Sequence, residues 1–248
     1  MKMKHILKYT FSILLLLASL SASSQQLSDS VSTPLKPVKS ERYGLRVGAD
    51  LYRLARTFYD DNYRGLEITA DYRYNKKFYI AGELGNVDIT VDDEQLNFTT
   101  SGSYFKVGFD YNAYENWLDM ENMIFIGMRA GVGSFNHKLN SFTIYQPGNY
   151  YGINTNTSNQ EFNGLSASWL EVVSGLKAEV FQNLFVGFGV QLKLLAMNNK
   201  PSGFDNLYIP GFNKTYEGKF GVGFNYTLSY FIPIYKKKIQ PKTEEIKK

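Results

Sequence analysis

Residues Glu217 to Tyr235 read EGKFGVGFNYTLSYFIPIY, with Phe220, Val222, Phe224, Tyr226, Leu228, Tyr230 and Ile232 alternating against Gly221, Gly223, Asn225, Thr227 and Ser229. A period of two belongs to a β-strand, whose successive side chains point to opposite faces. One face is almost continuously apolar and the other small and polar. That suits a strand between lipid and a polar lumen, but an ordinary half-buried strand also alternates. The rest of the chain must say what the apolar face meets.

Seven further segments carry the same period: Tyr43–Leu54, Arg64–Tyr74, Lys77–Gly85, Ser101–Tyr114, Asn122–Gly133, Ser166–Val180 and Leu184–Met197. None has a helical period. The connections Asn75–Lys76, Glu115–Glu121 and Phe181–Asn183 are short, whereas Ala55–Tyr63, Asn86–Thr100, Ser134–Leu165 and Asn198–Tyr216 are long. Short and long alternate strictly. Outer-membrane barrels have this asymmetry, with short turns in the periplasm and long loops outside. The segments therefore predict an all-β fold: an eight-stranded antiparallel transmembrane β-barrel of outer-membrane type with a polar packed lumen. Its last strand pairs with its first, and Pro233, lacking an N–H, should mark where that ladder stops.

The faces opposite the apolar ones hold the basic residues Arg46, Arg73, Lys106, Arg129, Lys177 and Lys193 and the acidic residues Asp50, Glu67, Asp71, Glu83, Asp110, Glu171 and Glu179. An eight-stranded barrel is just wide enough inside to be filled by side chains. Charges of both signs packed there must pair, because an unpaired buried charge is costly. Aromatics near the strand ends, Tyr72, Phe78, Tyr111, Tyr114, Trp117, Tyr226 and Tyr230, suit an interfacial girdle. The alternative is a soluble calyx with its apolar face inward, which would leave the alternation of connections unexplained.

Before the barrel segments, Met1–Ser24 has a basic start, the apolar run FSILLLLASL and then small residues, the pattern of a secretory signal peptide cut before Gln25. Residues 25–42 are rich in Ser, with Pro34 and Pro37, and read as a disordered linker. Residues 43–235 form the barrel domain and 236–248 a basic periplasmic tail. No later stretch approaches the ~20 apolar residues of a helical span. The formal charge is +4, but the leader and the Lys-rich tail supply it, so the middle is slightly acidic and no nucleic-acid surface is expected. Cysteine is absent, which excludes disulfides, thiolate metal sites and Cys catalysis.

The blocks YGLRVGADL (Tyr43–Leu51), LNFTTSGSYFKVGFDYN (Leu96–Asn112), NWLDMENMIFIGMR (Asn116–Arg129) and YFIPIYKKK (Tyr230–Lys238) resemble a small outer-membrane barrel of the OmpA/OmpX type, and in particular an uncharacterised barrel family of Bacteroidetes. The resemblance implies fold and compartment, the outer membrane of a Gram-negative bacterium, and carries no activity. One departure is the extension from Lys236 to Lys248, since outer-membrane proteins of this kind end on an aromatic residue.

Chemical motifs are few. His137 and Ser141 in HKLNS suggest a base and nucleophile for acyl hydrolysis of outer-leaflet lipid; a His and a Ser four apart in a polar loop also occur without function. With His5 the only other histidine, a multi-His metal site is excluded. Asp92, Asp93 and Glu94 read as a calcium-bridging or simply a solvated acidic loop. Lumenal charges line either a narrow ion path or a packed plug. The loop carrying Tyr145, Tyr150 and Tyr151 is a binding-loop candidate, and Asp29-Ser30-Val31 resembles an O-glycosylation acceptor triplet. The expectation is a non-enzymatic envelope protein without cofactor or metal, acting as a structural anchor or through loop-mediated binding. Its expected partners are outer-membrane lipid and lipopolysaccharide, the barrel-assembly machinery and an extracellular or periplasmic protein.

Overall fold

The computed structural model describes residues 40–114, 121–144, 155–203, 205–214 and 219–238. The expected signal peptide, most of the linker and the end of the tail lie outside the described residues. So do Trp117 and the loop tyrosines Tyr145, Tyr150 and Tyr151.

The elements in chain order are β1 (Ser40–Asp50), α1 (Leu51–Tyr59), β2 (Tyr63–Arg73), β3 (Phe78–Asp92), β4 (Leu96–Asn112), β5 (Met123–Thr143), β6 (Thr155–Phe181), β7 (Leu184–Asn198), β8 (Tyr208–Ile209), β9 (Asn213–Lys214) and β10 (Phe220–Lys238). Among the described residues, eight strands form a closed antiparallel barrel in the order β1-β10-β7-β6-β5-β4-β3-β2, while β8 and β9 pair separately. The stretch quoted first is the closing strand: β10 pairs with β1 from Asp50↔Thr227 to Ser40↔Lys238. Closure gives each of the eight strands a neighbour on both sides.

Pro233 does not end this ladder. The register slips between Tyr43 and Gly44, so that Tyr43 faces Tyr235 and Gly44 faces Pro233. Ile234 is thereby the extra residue of a bulge, which absorbs the missing N–H. Pairing runs on through Lys236–Lys238, three residues into the expected tail. Tyr235 stacks on Tyr43 at 5.1 Å beside this slip. Tyr226, expected at the rim, instead lies mid-strand against Phe188 at 5.0 Å.

Two other expectations are corrected. The segment read as strand to Leu54 turns helical at Leu51, because the Asp50 carboxylate caps the helix, accepting from the backbone N–H groups of Tyr52 and Arg53. Two of the long connections are mostly strand: β3 and β4 run on to meet at a tight turn around Asp93, and β5 and β6 extend to Thr143 and from Thr155. The signal was missed because side-chain polarity reverses along these strands. On β5 the outward residues Ile124, Ile126, Met128, Ala130 and Val132 are exposed and apolar, and the next three, Ser134, Asn136 and Lys138, are exposed and polar. The inward face changes the opposite way, from Arg129 to Phe135 and Leu139. On β3 and β4 the reversal falls between Leu84 and Asn86 and between Phe105 and Ser103.

Candidate functional site in the barrel lumen

The period of two that turns the apolar side chains outward turns the charges inward. Among the described residues, six cations and six anions form one connected network within the barrel. It starts at Arg46, which donates to Asp71 at 3.1 Å. Lys177 donates to Asp71 at 2.7 Å and lies 3.8 Å from Asp110. Arg129 joins Asp110 at 2.7 Å to Glu83 at 3.4 Å. Lys106, fully buried, reaches Glu83 at 2.5 Å, Glu67 at 3.5 Å and Glu171 at 3.7 Å. Lys193 reaches Glu171 at 3.5 Å, and Arg53 on α1 reaches Glu67 at 3.4 Å and Asp50 at 3.5 Å. The network is formally neutral. This is what burial demands, since an isolated ion in a dry interior costs several kcal/mol.

Aromatic and glycine positions complete the packing. The Trp169 indole donates to Glu171 at 2.7 Å, and the Tyr104 hydroxyl donates to Glu67. Arg46 lies 4.6 Å over the Phe185 ring. Gly131 faces Trp169 across β5 and β6, and a Cβ there would overlap the indole. A cavity of about 30 Å³ is bordered by Asp71, Glu83, Arg129, Lys177, Asn225 and Thr227, room for about two or three waters.

Toward the β3–β6 extensions the lumen becomes apolar, which corrects the expectation of a polar interior throughout. Val87, Ile89, Phe98, Phe135, Leu165 and Trp169 form a core there, completed by Tyr208, Ile209 and Phe212 from the β8–β9 hairpin. This hairpin belongs to the fourth long connection, expected to be an external loop, and it folds inward instead. Phe212 N–H donates to Ile209 C=O at 3.0 Å, with Pro210 and Gly211 between them and Gly211 at φ 83°. That is a type II turn, in which Pro presets the first central residue and Gly supplies the positive φ of the second. Phe212 meets Trp169 edge-on at 6.1 Å, and Lys193 donates to the Gly211 carbonyl at 2.6 Å. The signal in the sequence was YIPGF, an apolar pentapeptide in a polar loop.

A family model described as "Domain of unknown function (DUF6048)" matches residues 6–237. The chain belongs to this family. No curated protein matches it. Among solved structures, this DUF6048 chain is similar to the crystal structure of Ail, the attachment invasion locus protein of Yersinia pestis, at 11% identity and TM-score 0.37, covering 79% of this chain and 98% of that one. The crystal structure of the same protein in complex with the heparin analogue sucrose octasulfate gives 12% identity, the same coverage and the same TM-score.

Eleven of the charges expected in the lumen of the DUF6048 chain, all but Arg73 and Glu179, lie in the one network. Arg73 and Glu179 sit in a second cluster at the end that holds the short turns. There Arg42 contacts Glu121 at 3.0 Å and Glu179 at 3.1 Å, and Arg73 lies 3.8 Å from Glu121. Arg53, Arg42 and Glu121 were missed, lying on an unrecognised helix, in the linker and in a turn. His137 is buried inside β5, with Nδ1 2.7 Å from the Thr100 hydroxyl and its ring edge-on to Phe135 at 5.2 Å. Ser141 lies four residues further along the same strand, paired with Asn97. Four residues of strand span ~13 Å, so the structure does not bring the two together. Asp92, Asp93 and Glu94 lie exposed at the β3–β4 turn, and among the described residues no cluster of His, Asp or Glu is placed to hold a metal.

Proposed function

We propose that the chain is a non-enzymatic outer-membrane β-barrel of a Gram-negative envelope, of the small OmpA/OmpX kind, acting as an anchor that displays its strand extensions to a binding partner. One observation carries this reading: an exposed apolar belt surrounds a buried ion-pair network, and both polarities reverse at one level of the wall. Soluble proteins rarely expose contiguous apolar patches beyond a few hundred Å², and each belt Leu, Ile or Phe left in water forfeits ~1.5–3 kcal/mol of burial. Lipid around the belt removes that cost, and water above it suits Asn86, Ser103 and Asn136. The start of β1 at Ser40, the end of β10 at Lys238 and the short turns then face the periplasm. Among the described residues no helix is long and apolar enough to cross a membrane.

The partners of this reading are outer-leaflet lipid and lipopolysaccharide on the belt, the barrel-assembly machinery during insertion, and an extracellular or periplasmic protein. The packed lumen favours a plug over an ion path. Membrane-fraction protein run on SDS gels with and without boiling should shift in mobility, and purified protein should give no conductance in planar bilayers. A soluble protein without a shift refutes the barrel in lipid, and steady conductance refutes the plug.

A further inference from the structure

The barrel wall is incomplete in strands beside β1. This strand ends at Asp50, opposite Thr227, whereas β10 begins at Phe220, so residues 220–226 have no β1 partner. On the other side β2 begins at Tyr63, but its first partner on β1 is Ala49, opposite Ile68. Helix α1 occupies this breach. Its polar side holds the β2 edge: the Thr57 hydroxyl accepts from Gly65 N–H at 3.0 Å and donates to Gly65 C=O at 3.2 Å, and Arg56 lies 4.1 Å over the Tyr63 ring. Arg53, on the same side, enters the lumenal network. Toward β10, Tyr52 packs on Phe224 at 4.7 Å.

The opposite side of α1 is apolar and uncovered. Leu51, Leu54, Ala55 and Phe58 fall at i, i+3, i+4 and i+7, one stripe of a helix, and all are exposed, Phe58 at 82%. A surface helix on a soluble protein would bury this stripe. Here the helix follows the rule of the strands, charge inward and apolar outward, with a period of 3.6 instead of two. Beside the stripe, Tyr52 touches Phe224 of the belt, and Val222 and Phe220, still exposed and apolar, lie beyond this contact toward the start of β10.

We infer that α1 is a lipid-facing part of the wall, with Leu51, Leu54 and Phe58 seated against the acyl chains of the outer leaflet. The inference rests on the belt being in lipid, and the test separates the two. The chain has no cysteine, so Phe58→Cys, Val107→Cys and Asn136→Cys each give one labelling site for an environment-sensitive fluorophore. Val107 lies in the belt, and Asn136 faces outward above it. Full-length variants showing the boiling shift are refolded into phosphatidylcholine vesicles with or without brominated acyl chains. Loss of fluorescence at Phe58 matching that at Val107, with no loss at Asn136, is the expected result. Quenching at Val107 with none at Phe58 overturns the inference and keeps the lipid belt. No quenching at Val107 overturns both.

Discussion

The Lys193 ammonium donates to the Gly211 carbonyl at 2.6 Å while lying 3.5 Å from Glu171. One cation thus ties the inward hairpin to the charge network of the wall. Replacing it disturbs the hairpin more than the barrel, because Glu171 keeps its hydrogen bond from Trp169 and its approach to Lys106.

Lys193→Met is therefore expected to loosen the β8–β9 hairpin, with a loss of about 2 kcal/mol for a hydrogen bond involving a charge. Limited proteolysis in that segment should accelerate several-fold while the boiling shift persists. Unchanged cleavage would mean that Phe212 and its neighbours hold the hairpin alone.

Lys106→Met should be far more damaging. It leaves Glu67, Glu83 and Glu171 without their shared cation, and breaking a buried pair costs about 3–5 kcal/mol. Urea unfolding in detergent would read this as a lowered midpoint. Adding Glu83→Gln should restore part of the loss, because contacting residues are non-additive by about 0.5–3 kcal/mol. Strict additivity would refute direct coupling.

How much of this was legible in the sequence follows from the range over which each signal holds. Ile124, Ile126, Met128 and Val132 against Arg129 announce strand and orientation because one solvent change divides the two faces. Beyond Ser134 the outward residues turn polar and the inward ones apolar, so a pattern tuned to apolar-outward strands reads the same strand as loop. Helix α1 was hidden because Leu51 continues the alternation of Leu45, Val47 and Ala49 for one more residue, and nine residues give a helical period little room. Which cation would meet which carboxylate was not legible at all, since Lys177 and Asp71 are brought to 2.7 Å only by closure of the ring.

Gly211→Ala should be costly for two reasons. At φ 83° an L-residue is strained, and a Cβ would sit 2.6 Å from the Tyr104 ring, so a loss of about 2–4 kcal/mol is expected. Gly203 offers the control, with φ 78° but open space around it, where the loss should stay near 1 kcal/mol. Thermal midpoints of the two variants should rank in that order.

Alkaline pH should release the hairpin. Burial pushes the Tyr208 phenol up to about 12 from its ordinary 10.0. The folded state keeps its proton where the unfolded state loses it, so the contribution is full below pH ~10 and is lost as pH rises toward ~12. Near-ultraviolet circular dichroism of the wild type should change over this window, and Tyr208→Phe should flatten the change. An identical profile in the variant would clear Tyr208 of the effect.

The reversal of polarity along β3, β4 and β5 acts as a waterline drawn on the hull. With the belt in lipid, as proposed, a vertical slip of two residues, ~7 Å along a strand, would drag Ser134 or Asn136 into oil on one side or lift Val132 into water on the other. On the proposed reading, floating depth is thus written into the wall itself.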